Sequence, residues 1–233
     1  MRKGKVIVVE GLIGAGKTCF SNELGKALGN QTLIFGEPDD ENQANPYLGD
    51  YYKDQLRWAF TMQIHLLQAR LKIHLDAQWY SLNRRKNAVI DRPFYGDTAF
   101  ARLQYKKKYL ESREYETYRS LYHSMTAQVL HPQICIWVQT TPETSARRIN
   151  SRMVGREGRE CESVIDLDYL DLLNKEIEHM ISVLENAGVR VIRLDWNKDT
   201  TPETRAPLIE SICETIKNYE PPDLFLDLHR RTI

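Results

Sequence analysis

The sequence has no excess of charge of either sign. Lys+Arg and Asp+Glu stand at 32 each in 233 residues, a formal net charge of zero. General nucleic-acid binders and membrane-surface proteins are more often basic. The expected partner is therefore a small molecule met locally by clustered arginines, with no nucleic acid and no membrane. The four cysteines, Cys19, Cys135, Cys161 and Cys213, are scattered, with no C-x-x-C and no Cys/His metal spacing. Free thiols in a reducing compartment are the simplest reading. No apolar run approaches 18 residues, so no transmembrane helix is expected. Met1 to Lys5 runs straight into a short apolar strand and offers no signal-peptide core, which points to a cytoplasmic location. No Pro/Gly/Ser linker, repeat or low-complexity block divides the chain, so residues 1–233 are expected to form a single domain.

What is present is a rhythm of short apolar runs between helical stretches. Val6 to Val9 reads as a strand buried on both faces, and Leu33 to Phe35, Ala88 to Ile90, Ile134 to Val138 and Val189 to Leu194 as four more strands. Helical spacing covers Thr18 to Leu28, then Tyr52 to Arg85 as one helix or two. It continues over Asp97 to Leu130 with a break near Lys106 to Lys108, from Pro142 onward, over Leu167 to Ala187, and over Pro202 to Tyr219. Strands alternating with helices along the whole chain predict an α/β fold, a five-stranded parallel sheet flanked by helices.

Gly11-Leu12-Ile13-Gly14-Ala15-Gly16-Lys17-Thr18 fits G-x-x-x-x-G-K-[ST]. The glycines let backbone N–H groups turn inward around phosphates, and the following helix adds its N-terminal partial charge. Lys17 supplies an ammonium to the phosphates and Thr18 a hydroxyl to Mg²⁺. A chance match in a chain this long is roughly a one-per-cent event, and here a strand precedes it and a helix follows. ATP and Mg²⁺ are the implied ligands, and phosphoryl transfer the implied chemistry.

In open α/β sheets ligands bind beyond the carboxyl ends of the strands. Glu37 ends the second strand, Asp91 and Arg92 end the third, and the phosphate loop ends the first. Glu37 is placed to accept a proton from a substrate hydroxyl. Asp91 can position Mg²⁺ directly or through water. Arg92 can hold the acceptor oxygen or the transferred phosphoryl group. Arg147, Arg148, Arg152, Arg156 and Arg159 follow the fourth strand, with Gly155 and Gly158 among them. The stretch from about 152 to 162 reads as an Arg-rich lid that closes over the phosphates and excludes water.

Together these motifs resemble the deoxynucleoside kinases, the family that includes deoxycytidine, deoxyguanosine and insect multisubstrate kinases. Glu10-Gly11-x-Ile13-Gly14-x-Gly16-Lys17-Thr18 is similar to that family's phosphate loop, and Glu37-Pro38 to its catalytic Glu-Pro pair. Tyr52-x5-Trp58-x4-Gln63 resembles its substrate helix, the tyrosine meeting the sugar 3′-hydroxyl and the glutamine the base edge. Asp91-Arg92 stands where the family carries Glu-Arg, one methylene shorter at the acid. The resemblance implies that Arg70 and Asp97 meet over the base, as in members acting on cytosine or purines, and that Phe100 stacks on it. Such a pair suits an amino-bearing base and leaves little room for a thymine methyl. The lid is several residues longer than in the animal enzymes. Counting back from Tyr169 puts Glu162 at the acid for the 3′-hydroxyl and Arg159 at a lid arginine. Asp195 to Asp199 resembles the loop that holds the ATP adenine, which implies Asp195 and Asn197 as ATP contacts.

The resemblance implies a P-loop kinase fold, a homodimer, and ATP-dependent 5′-phosphorylation of a deoxynucleoside in nucleotide salvage. The substrate would be a purine deoxynucleoside or deoxycytidine. Two rivals share parts of the pattern. A thymidylate-type monophosphate kinase would need a further arginine for its acceptor phosphate. A nucleotide-gated switch would need no acceptor pocket, and no guanine-reading N-K-x-D occurs here.

Overall fold

The computed structural model describes residues 4–36, 45–155 and 165–220, with the side chains of 153–155 left aside. Glu37, Arg156, Arg159 and Glu162 lie outside the described residues. The chain divides into two compact units, residues 1–199 and 200–233, taken here in turn.

The first unit is built on five parallel strands: β1 (Val6–Gly11), β2 (Leu33–Phe35), β3 (Ala88–Asp91), β4 (Ile134–Gln139) and β5 (Arg190–Asp195). Their order is β2-β3-β1-β4-β5. All six residues of β1 are buried, as its continuous apolar run requires of a central strand covered on both faces. Val9 pairs with Asp91 of β3, and Gly11 with Val138 of β4, so three strand ends share one edge. The chain leaves β1 for one side of the sheet and returns through β4 on the other, which puts the switch point at the end of β1.

Seven helices among the described residues flank this sheet: α1 (Lys17–Leu28), α2 (Leu48–Lys53), α3 (Gln55–Arg84), α4 (Tyr95–Lys106), α5 (Ser112–Thr126), α6 (Pro142–Gly155) and α7 (Leu167–Asn186). The apolar stretch from Tyr52 resolves into two helices. Asp54 breaks it in an extended conformation and caps α3 by accepting the Arg57 N–H at 3.1 Å. Gly25 of α1 lets that helix settle on β2, because a Cβ there would lie 2.5 Å from Ile34. None of the helices among the described residues is long and apolar enough to cross a membrane.

The second unit carries α8 (Pro202–Asn218). Thr201 and Thr204 cap each other's backbone N–H groups, and Pro202 sits where a helix needs no N–H donor.

Candidate active site

The phosphate loop leaves β1 at Gly11 and enters α1 at Lys17. Gly14 has φ 77° and Gly16 φ 91°, left-handed conformations that glycine adopts without the cost a side chain would bring. A Cβ at Gly14 would also lie 2.8 Å from the Ser145 carbonyl oxygen of α6. Lys17 is buried, and its ammonium donates to the carbonyls of Gly11 at 3.1 Å and Leu12 at 2.8 Å. The side chain is thereby folded back over the loop it belongs to. Ile13 is half-buried, Ala15 is buried, and Thr18 is exposed on the first turn of α1.

Arg92 follows β3 and is 5% exposed. Its φ of 57° is a strained backbone for a residue with a side chain. The guanidinium donates to the Gly11 carbonyl at 3.5 Å, faces Glu10 at 3.9 Å, and lies 5.1 Å over the Phe100 ring. Phe100 is half-buried on α4. Arg92 therefore joins the end of β1 to α4. Asp91, 2% exposed, ends β3 beside the same edge.

Glu10 is completely buried. Burial pushes its carboxyl above the usual range, against the pull of Arg92 and then Lys17.

Arg70 of α3 and Asp97 of α4 form a buried ion pair. Burial raises Asp97 to about 6 although Arg70 and Arg92 oppose the rise. Its Oδ2 has no hydrogen-bond partner among the described residues. Gln63 stands seven residues before Arg70, two turns along the same face of α3, roughly 10 Å away. Gln63 is wholly buried, and neither its amide oxygen nor its amide nitrogen has a partner among the described residues. An unsatisfied buried amide costs about 1–3 kcal/mol, so a group that can both donate and accept belongs there.

Tyr52 ends α2 half-buried, its ring 5.2 Å from that of Tyr51. Both lie in electrostatic reach of Tyr169, which caps the same cluster from the start of α7 and is itself reached by Arg92. Trp58, at the start of α3, packs 5.7 Å from Tyr47 and under Arg57 at 4.6 Å.

On the other side of the loop, Asp195 and Asn197 bind each other and the chain end of β4. Asn197 donates to Asp195 at 2.8 Å and accepts the Thr141 N–H at 2.7 Å. Arg152 is half-buried on the last turn of α6.

Four residues near the site, Glu10, Tyr51, Trp196 and Arg148, make contacts that sequence reading did not assign them. Trp196 is nearly buried, edge-on to Phe20 at 5.3 Å, and its indole nitrogen would stand 3.3 Å from a Cβ at Gly16. Arg148 donates to the carbonyls of Ala15 at 3.3 Å and Trp196 at 2.9 Å, and pairs with Asp199 at 2.9 Å. It ties the phosphate loop to the loop after β5 across 133 and 48 residues of chain. Only the arginine cluster itself was visible in the sequence.

A parallel sheet whose glycine loop sits at the switch point, with buried polar side chains on α3 and α4 and after β3, defines a P-loop kinase fold. The chain belongs to the deoxynucleoside kinase family, whose model matches residues 7–217. It is 32% identical to the deoxyadenosine kinase of Dictyostelium discoideum over 215 residues, 92% of this chain and 82% of that one. It is 31% identical to the deoxyadenosine/deoxycytidine kinase of Bacillus subtilis (strain 168), over 83% of this chain and 84% of that one. Among solved structures it is similar to the deoxyadenosine kinase of M. mycoides with bound dCTP. There the TM-score is 0.73 at 28% identity, covering 90% of this chain and 99% of that one. The chain is a kinase of deoxynucleosides, and the monophosphate-kinase and switch readings fall behind that one.

Proposed function

We propose that this kinase transfers the γ-phosphoryl group of ATP to the 5′-hydroxyl of a deoxynucleoside with an amino-bearing base, a purine deoxynucleoside or deoxycytidine. The observation that carries the base class is the buried Arg70–Asp97 pair, with Gln63 two turns earlier on α3 and its buried amide without a hydrogen-bond partner among the described residues. Together they offer donors to ring nitrogens or carbonyls and a carboxylate oxygen to an exocyclic amine. The relatives from Dictyostelium and Bacillus, named for deoxyadenosine and deoxycytidine, support the same class. In this reading Phe100, under the Arg92 guanidinium, provides a face for the base, Tyr52 meets the sugar, and Trp58 belongs to the same substrate helix.

In this reading Glu37 takes the proton of the 5′-hydroxyl and Glu162 holds the 3′-hydroxyl. Arg92 stabilises the attacking oxygen and the transferred group. Lys17, the amides from Gly11 to Thr18, and Arg152, Arg156 and Arg159 spread the phosphoryl charge, while the loop at Asp195 and Asn197 receives the adenine. Most of the rate comes from positioning and electrostatics. No group of three or more His, Cys, Asp or Glu side chains is arranged to hold a metal among the described residues. The Thr18 hydroxyl and the Asp91 carboxylate are hard oxygen donors, which suits Mg²⁺ held largely by phosphates and water. Bound there, Mg²⁺ neutralises charge on the phosphates.

The single-domain reading of residues 1–233 is supported by a family match that runs through both compact units. Cys135 and Cys213 are buried thiols outside any disulfide among the described residues, which fits a reducing, cytoplasmic setting. A homodimer is supported by an exposed apolar stripe on α3, Leu75, Trp79 and Leu82, next to Leu121 and Met125 of the adjoining α5.

The test is phosphate transfer from ATP to each of the four deoxynucleosides and their monophosphates. The reading predicts turnover of deoxyadenosine, deoxyguanosine or deoxycytidine and little of thymidine. Preferred use of thymidine, or of a monophosphate acceptor, would sink it.

A further inference from the structure

Glu10 stands between the two halves of the site. It is the residue before the phosphate loop and is wholly buried at the end of the central strand. Its Oε1 accepts the Gly11 N–H at 3.0 Å, so the first amide of the loop is turned towards the carboxylate. The same oxygen lies 3.9 Å from an Arg92 guanidinium nitrogen. Its Oε2 has no partner among the described residues and points at Gly96 on the first turn of α4, where any Cβ would collide with it. Gly96 is thus the space that the carboxylate occupies.

Among the described residues Arg92 also meets the Gly11 carbonyl and the Phe100 ring. Its contact with the Gly11 carbonyl is long, and its stack on Phe100 fixes a plane more than a point. Its left-handed backbone needs surroundings that over-determine it. The buried Glu10 carboxyl lies within 4 Å of the guanidinium, and it anchors the same Gly11 whose carbonyl receives Arg92. Donor loop and acceptor-side arginine are therefore referenced to one carboxylate.

We propose that Glu10 is a positioning residue for phosphoryl transfer, acting through Arg92 by fixing its guanidinium against the start of the phosphate loop. The inference rests on the proposed role of Arg92. A simpler role for Glu10, balancing a buried cation for the sake of folding, would lower stability and leave the kinetics of the folded enzyme alone.

The experiment compares Glu10→Gln, Gly96→Ala, Arg92→Lys and the double variant Glu10→Gln/Arg92→Lys in steady-state kinetics with the preferred deoxynucleoside, with Tm recorded for each. Glu10→Gln keeps an acceptor for the Gly11 N–H and removes the charge that holds Arg92. The expected result is a 10- to 100-fold fall in kcat with nucleoside KM changed less than threefold. Gly96→Ala, which keeps the charge but displaces Oε2, should fall the same way by a smaller factor. In the Arg92→Lys background, Glu10→Gln should cost less than threefold more, because the residue it acts through has already changed. If Arg92→Lys keeps full kcat, the reading of Arg92 is wrong. If Arg92→Lys loses kcat while folded Glu10→Gln keeps it, or the two losses multiply, this inference is overturned. Should Glu10→Gln not fold, Gly96→Ala decides, and wild-type kcat there overturns the inference equally.

Discussion

At the residue scale, the sharpest chemistry is the acid placed over the base. Asp97 is raised to about 6 because burial outweighs the pull of Arg70 and Arg92. The free enzyme therefore titrates Asp97 between pH 5 and 7. Above that range the carboxylate accepts from an exocyclic amine and holds Arg70 by charge; below it the protonated group loses that charge and turns one oxygen into a donor. Because kcat/KM reports the free enzyme, its profile for the preferred deoxynucleoside should bend downward below about pH 6. Asp97→Asn should remove that limb while lowering the plateau roughly 100-fold, about 3 kcal/mol of lost discrimination. An Asp97→Asn profile that keeps the same limb would assign it to another group. Glu37 gives a second test at this scale. Glu37→Gln should leave nucleoside binding within about threefold and cut kcat by 10²–10⁴-fold, the range of a lost general base. Near-normal turnover in single-turnover assays would remove it from that role.

At the scale of elements, the five strands were legible to within a residue or two: β1, β3 and β4 as apolar runs buried on both faces, and the half-exposed edge strands β2 and β5 as short apolar runs between helices. The phosphate loop was legible because its glycines stand at the conformations φ demands. The break between α2 and α3 was not fixed by periodicity, since Asp54 interrupts a pattern that continues on both sides. Nor could sequence show that Glu10 carries a buried charge, or that Arg148 reaches Ala15, because these depend on partners 82 and 133 residues away. Another such tie joins α4 to α7. Glu176 is 4% exposed and accepts from Arg102 at 2.9 Å and from Lys106. Both cations reach towards solvent and would rehydrate if it were lost. Glu176→Ala should therefore cost about 1–2 kcal/mol rather than the larger penalty of a stranded buried charge. In a chain of this size that lowers Tm by roughly 3–6 °C. An unchanged thermal midpoint would mean that the pair contributes nothing beyond its geometry.

At the scale of the whole molecule, charge and surface have to be weighed together. The formal net charge is zero, so long-range repulsion does little to keep copies of the chain apart. Trp79 and Leu82 are 57% and 63% exposed, and they continue at helical spacing from Leu75 along α3. A chain of zero net charge with such a stripe is prone to associate through it. A self-complementary interface also satisfies the stripe twice, since a two-fold axis sets the same patch against itself. The proposed homodimer therefore centres on Trp79. Wild-type protein should sediment as a dimer at micromolar concentration, with a Tm that rises with concentration as mass action requires. Trp79→Glu places two like charges at the axis and should shift the protein to monomer while leaving kcat within a few-fold, because the pocket between α3 and α4 lies within one chain. A wild-type protein that stays monomeric at tens of micromolar, or a Trp79→Glu variant that stays dimeric, would move the interface elsewhere and leave this stripe unexplained.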